Sequence, residues 1–299
     1  MTGSDEGSAA ARPNPWHFAA LLGGNFALAL GPWSVRLADC GPVSAGFWRL
    51  FLPLPVLAFL ALRQRRATQS PAFALGAWMS VATAGVFFAL DLASWHIGIS
   101  HTRLGNASLF GNSGSLILMA WGVVVARRWP HRLEVAAIFA ATAGACILLG
   151  RSLEIDRATL IGDLFCILGG FLYVFYILLI QRARGCFDNW GLLFHSTLAG
   201  APILLGIAAA LGEPIWPHNW WPLIALALGS QVVGQGLIVF ALRHFSALIV
   251  GVVLLSQPAV SILAGWLAFG ETMGLPDAAG MGLIAAGLVL SRLSEGKAR

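Results

Sequence analysis

Charge is what this sequence most lacks: Asp, Glu, Lys and Arg make up 10% of 299 residues, and only one of them is a lysine. A soluble domain carries about 25% charged residues. With 58% hydrophobic residues and a mean hydropathy of +0.79, the chain cannot cover itself with polar surface. A cytosolic enzyme, a disordered protein and a secreted disulfide scaffold are thereby excluded. Cysteine is also sparse: Cys40, Cys146, Cys166 and Cys186 lie far apart, without a CxxC or a Cys/His pairing. No metal site or disulfide framework is expected, and the thiols read as small packing residues. HExxH, P-loop and strand-borne GxGxxG patterns are missing, so nothing suggests ATP-driven pumping, a nucleotide cofactor or any other cofactor. Residues 1–15 are rich in Gly, Ser and Ala with no apolar core, and read as a disordered tail rather than a signal peptide.

What the chain has instead is long apolar runs. A bilayer-spanning helix needs about 20 apolar residues. Ten such segments can be marked: Trp16 to Val35, Pro42 to Leu62, Phe73 to Ile99, Leu104 to Val125, Leu133 to Leu149, Leu160 to Ile180, Trp190 to Leu211, Trp220 to Leu242, Ala247 to Phe269 and Asp277 to Leu290. The expected fold is an all-α integral membrane protein of ten transmembrane helices. Basic residues give the orientation. With ten spans, 13 of the 18 fall on the face that carries both termini, among them Arg63, Arg132, Arg182, Arg184 and Arg243. Four fall on the other face (Arg36, Arg103, Arg151, Arg157), and Arg49 lies inside span two. The positive-inside rule then makes the N and C termini cytoplasmic. Several tryptophans, including Trp16, Trp129, Trp216 and Trp221, fall near span ends, where an interfacial belt would hold them.

Sliding the chain against itself by 145 residues lays spans one to five over six to ten, with Gly24 meeting Gly169, Phe26 meeting Phe171 and Trp121 meeting Trp266. Five is odd, so the second copy enters the membrane from the opposite side. The expected domains are a tail (1–15), a first five-helix repeat (16–150), an inverted second repeat (157–292) and a short cytoplasmic tail (293–299). Inverted-topology repeats are typical of secondary transporters, whose substrate site lies near the midplane at the repeat interface.

The stretch from Ala247 to Leu290 resembles the C-terminal repeat of the drug/metabolite transporter superfamily in its ten-helix EamA-type branch. It has an apolar helix with a polar-Pro step (Gln257, Pro258), a span ending in Gly270-Glu271 and then a small-residue helix. The first repeat departs from this, with Asn112-Ser113 at the polar-Pro step and Arg127-Arg128 where the acidic ending would be. The resemblance implies a bacterial inner-membrane exporter of small metabolites, with amino acids, aromatic ones included, as the expected substrates; the YddG-type amino-acid exporters are the best analogy. Export of a drug, nucleoside or other metabolite by the same fold is the alternative.

Ionisable groups inside a span are functional candidates by default. Asp91 in span three and Arg49 in span two lie at similar depth, either as a structural ion pair or as a substrate-facing pair suited to a zwitterion. His96 sits near the end of span three, and His195 sits deep in span seven. Asn112 and Gln257 coincide under the 145-residue offset, with Pro258 and two glycines, Gly111 and Gly114, loosening the helices there. Gln231 and Gln235 are spaced to share one face of span eight. Trp48, Trp95, Tyr173 and Tyr176 add aromatic surface; the last two are the only tyrosines. Ala278, Gly282 and Ala286 form a small-residue line in span ten, suited to close packing within the chain or to a dimer. The expected partners are a small-molecule substrate and the lipid bilayer, not nucleic acid, with monomer and dimer both open.

Two readings of other classes use the same residues. Gly111-Asn112-Ser113-Gly114 matches the G-x-S-G of intramembrane serine proteases, with His195 as the nominal base. A channel would also use Gln and Gly, although charged rings are missing and a repeat favours a carrier. The chain is read as a transporter, not an enzyme.

Overall fold

A computed structural model describes residues 15–64, 71–102, 107, 110–126, 129–150, 159–257, 259, 260 and 274–297. The N-terminal tail, Pro258, Gly270-Glu271 and several of the basic residues used for orientation (Arg65, Arg66, Arg103, Arg127, Arg128, Arg151, Arg157) lie outside the described residues. Among those described, all regular structure is helical. In a hydrocarbon medium a helix satisfies its backbone groups internally. Among the described residues, six helical stretches are long and apolar enough to cross a membrane: Pro15–Leu37, Pro42–Arg63, Leu75–His101, Leu160–Ala183, Asn189–Ala210 and Trp221–Ala241.

The first two are interrupted where the sequence carries proline. Helix α1 (Pro15–Ala29) gives way to α2 (Gly31–Leu37), and α3 (Pro42–Phe51) to α4 (Leu54–Arg63). Pro32 and Pro55 occupy the first turns of α2 and α4, where a missing N–H does no harm. Then follow α5 (Pro71–His101), α6 (Ser113–Ala126), α7 (Arg132–Gly150), α8 (Leu160–Ala183) and α9 (Asn189–Ala210). The next stretch starts as α10 (Trp221–Ala225), widens into a π-helix over Leu226–Gln235 and closes as α11 (Gly236–Ala241). Last come α12 (Ala247–Leu254) and α13 (Leu275–Lys297).

Packing relates the two halves of the chain. Helix α1 lies on the π segment and α11, as α8 lies on α5; α3 packs on α9, α6 on α12 and α7 on α13. Glycine sets the closest of these approaches. A Cβ on Gly24 would stand 2.9 Å from the carbonyl of Gly234, and one on its offset counterpart Gly169 would stand 3.1 Å from Cβ of Trp95. Sequence matching paired these two glycines, and in space each lets its helix approach a neighbour from the other half.

The connections gather at two ends. At one end Gly41 donates to the Pro214 carbonyl at 2.9 Å, and Asp39 accepts from the backbone of His218 and Asn219, both at 3.0 Å. Arg36 reaches the Thr102 carbonyl at 3.2 Å, and Thr102 donates to Asp163 at 2.6 Å. At the opposite end Arg243 donates to the Phe187 carbonyl at 2.9 Å, Arg184 to the Leu242 carbonyl, and His17 stacks on His244. Between the ends the outer surface is apolar, with Leu75, Met79, Phe139, Ile161 and Leu164 all more than half exposed. Exposure on that scale suits lipid rather than water. Ala278, Gly282 and Ala286 also face outward. The face of α13 that packs within the chain is carried instead by Gly280, Ile284 and Gly287 against α7.

Candidate substrate cavity

The interruptions and glycine contacts leave a cavity of about 100 Å³ between helices of both halves. Its wall takes Leu28, Ala29 and Pro32 from the α1–α2 break, Arg49 from α3, and Phe88, Asp91, Leu92 and Trp95 from α5. Gly111 and Asn112 come from just before α6, Gly114 and Ser115 from its first turn, Gly170 and Tyr173 from α8, Gln235 from the end of the π segment, Leu254 from the end of α12 and Gln257 from just beyond it. Of the residues expected to serve a substrate, Arg49, Asp91, Trp95, Asn112, Tyr173, Gln235 and Gln257 therefore meet in one place.

Arg49 and Asp91 are 4% and 8% exposed, so each charge is held almost entirely inside protein. They sense one another electrostatically, yet no direct ion pair joins them, and Arg49 Nε is buried without a hydrogen-bond partner. The Arg49 guanidinium carbon lies 5.9 Å from the centroid of the Phe88 ring, a further favourable placement for a cation. An arginine and an aspartate on one cavity wall, not paired with each other, can take a ligand that carries both charges.

The amides are held in defined orientations. Tyr173 donates from its hydroxyl to Gln235 Oε1 at 3.3 Å, and Gln257 Nε2 donates to Asn25 Oδ1 at 3.0 Å. Helix α12 has already ended there: Ser256 N turns back to the Val253 carbonyl at 2.9 Å. Glycine seals another part of the wall, since a Cβ on Gly114 would clash with the Gly170 carbonyl.

Other expected site residues lie elsewhere. Trp48 donates from Nε1 to the Ile215 carbonyl at 2.7 Å and packs among Trp216 and Trp220, with centroids 5.2 and 4.9 Å away. His96 is fully buried, its Nδ1 2.7 Å from the Pro42 carbonyl, and ties α5 to α3. Tyr176 is buried with its ring stacked on Phe88 at 4.4 Å. Gln231 donates to Thr197 Oγ1 at 2.9 Å and so bridges to α9. Only Gln235 of that pair reaches the cavity. The π-helix, with its wider turn, departs from the α spacing that put both on one face. His195 is half-buried, its Nδ1 2.7 Å from the Gly191 carbonyl and its ring edge-on to Trp78 at 4.3 Å. Ser113 Oγ is buried without a hydrogen-bond partner, so no base stands on it as a serine protease would require. Pro258 lies outside the described residues.

The residue that sequence reading missed is Asn25. It is completely buried in α1, and Nδ2 donates to the Val253 carbonyl at 3.0 Å and to Ser256 Oγ at 2.8 Å. The signal was present, because a primary amide alone in an apolar span is a functional candidate on the same grounds as Asn112.

Residues 160–293 match the EamA-like transporter family. Two proteins of Archaeoglobus fulgidus, each described as an uncharacterized transporter, are 24% identical to the chain. The similarity runs over 268 residues of the first (87% of this chain, 91% of that protein) and 269 of the second (89% and 93%). A protein of known crystal structure shares the fold with a TM-score of 0.74 at 17% identity, over 93% of this chain and 96% of that one. The second half of the chain is thus similar to the EamA-like transporter family, and most of its length is similar to proteins described as transporters.

Proposed function

We propose that the protein is a bacterial inner-membrane exporter of amino acids, secondary-active or facilitative, working by alternating access around the cavity between its halves. The observation that carries this reading is Arg49 and Asp91 on one cavity wall without a direct ion pair. A zwitterion offers a carboxylate to the guanidinium and an ammonium group to the carboxylate. Amides and aromatic edges complete the lining, as a small amphiphilic solute requires.

Ten spans in two inverted sets of five are supported by the packing. Helix pairs related by the 145-residue offset recur across the bundle, and each end gathers connections of one parity. Two inversely related halves supply the two near-equivalent states that alternating access exchanges. The basic residues favour cytoplasmic termini.

The test is counterflow of labelled amino acids into liposomes containing the purified protein. Saturable exchange that unlabelled amino acids compete for is the expected result. Flux that never saturates would point to a channel, and no flux with any amino acid would remove the substrate class.

A further inference from the structure

We infer that Asn25, which does not line the cavity, sets the hydrogen-bonding polarity of Gln257 and so makes that wall selective for an ammonium group. This deepens the amino-acid reading and rests on it.

The backbone fixes the sense of each hydrogen bond in turn, outward to the cavity. A peptide carbonyl can only accept, so the Val253 carbonyl, 3.0 Å from the Asn25 side chain, requires the amino group of Asn25 to face it. Ser256 uses its own hydroxyl proton on the same carbonyl at 2.7 Å, which leaves its oxygen to accept the second Asn25 proton at 2.8 Å. Both Asn25 protons are thereby committed, and only Oδ1 is left to face Gln257. That oxygen needs a donor, so the Gln257 amide must turn Nε2 toward it, at 3.0 Å. Gln257 Oε1 is then the free atom of a side chain that lines the cavity. Two amides and a serine transmit one carbonyl's polarity to the wall, which presents an acceptor.

The consequence is chemical. An acceptor lining the same cavity as Asp91 suits an ammonium group, which only donates. It discriminates much less against a hydroxyl, which donates or accepts as its surroundings ask. The seam related to this one by the 145-residue offset is built differently among the described residues. Position 170, the offset counterpart of Asn25, is glycine, packed directly against Gly111 and Gly114.

The experiment measures ligand-dependent thermal stabilisation of the intact protein in detergent, using three pairs: alanine with lactate, leucine with 2-hydroxyisocaproate, and phenylalanine with 3-phenyllactate. The native protein is expected to prefer the amino member of at least one pair. Asn25→Leu frees the Gln257 amide to rotate, and the preference should narrow about tenfold through weaker binding of the amino member alone, the loss of one hydrogen bond to a charged group. Adding Gln257→Glu to Asn25→Leu should restore the preference, because both carboxylate oxygens accept and no orientation is needed. Asn25→Ala, which introduces no bulk, gives the same reading should the leucine variant fail to insert. An unchanged preference in the Asn25 variants, or a lost one that Gln257→Glu does not restore, would overturn the inference and leave the substrate class standing. A native protein that prefers the amino member of no pair would overturn the substrate class and this inference together.

Discussion

Arg49 and Asp91 face one cavity from neighbouring helices without a direct ion pair, and the proposed binding role rests on that arrangement. A pair that merely fastened α3 to α5 would be in contact, and removing both partners would be tolerated. Here each charge is buried at a cost that translocon scales put at about 2.5–3.5 kcal/mol at a helix centre. We expect Arg49→Gln and Asp91→Asn each to weaken amino-acid binding by about 10- to 100-fold, as for a hydrogen bond to a charged group. The double variant should be no better than either single one, while its melting temperature should hold or rise. Binding and melting measured together check this; normal counterflow by the double variant would return the pair to a structural role.

Gly114 and Gly282 give a paired test of the packing. A Cβ at Gly114 would meet the Gly170 carbonyl at 2.2 Å, so α6 and α8 would have to separate. Gly114→Ala should destabilise by about 1–3 kcal/mol, as overpacking does, and should impair transport because this seam borders the cavity. Gly282→Ala meets nothing within 4 Å. It should leave melting and transport as they are, or raise the melting temperature slightly through better helix propensity. Equal effects at the two positions would contradict the assignment of α13's packing face.

Much of this site was legible in the sequence, and what was not has identifiable physical causes. Hydropathy and spacing locate a residue along a helix axis, which brought Arg49, Asp91, Asn112 and Gln257 to compatible depths. They do not give its direction around the axis with the same certainty. Trp48 and Arg49 are adjacent in α3, yet one turns to the Trp216 and Trp220 cluster and the other to the cavity. Gln231 and Gln235 parted because a π-helix took the place of the α-helix their spacing assumes. Asn25 has no polar counterpart at position 170, so the repeat that drew attention to Asn112 and Gln257 could not draw it to Asn25.

Glu213 caps a helix to which it does not belong. Helix α9 carries its own cap, Asp188, which accepts from Gly191 N at 2.7 Å. Helix α3 begins after Gly41, which has no side chain, and Glu213 fills the role by accepting from Val43 N at 3.2 Å and from Ser44 N at 2.8 Å. Losing such a cap costs about 0.5–2 kcal/mol, so Glu213→Ala should lower the melting temperature. Cys40 reports on the same contact. Its thiol pKa is pushed up to about 11 by burial, by neighbouring Asp39 and then by Glu213. Thiolate is the reactive form, so maleimide should label Cys40 slowly in the native protein and several-fold faster in Glu213→Ala. An unchanged labelling rate would mean that the cap does not hold this end closed.

At the opposite end His17 and His244 stack with ring centroids 3.6 Å apart and planes 9° from parallel. His244 lies in the turn between α11 and α12, and its pKa is lowered by burial first, then by His17, Arg243 and Arg184. A histidine whose pKa is depressed by folding binds fewer protons folded than unfolded, so stability rises with pH across the interval between the two values. Above the unfolded value of about 6.5 both states are neutral and the contact is intact. As pH falls through that value, the unfolded state takes up the proton first and stability declines. The melting temperature should therefore be level from about pH 8 to about pH 7 and fall below about pH 6.5. His244→Phe keeps an aromatic ring against His17 and Phe240 and removes the titrating group, so its profile should be flatter across the same interval. A variant that retained the full slope would assign the pH response to other groups.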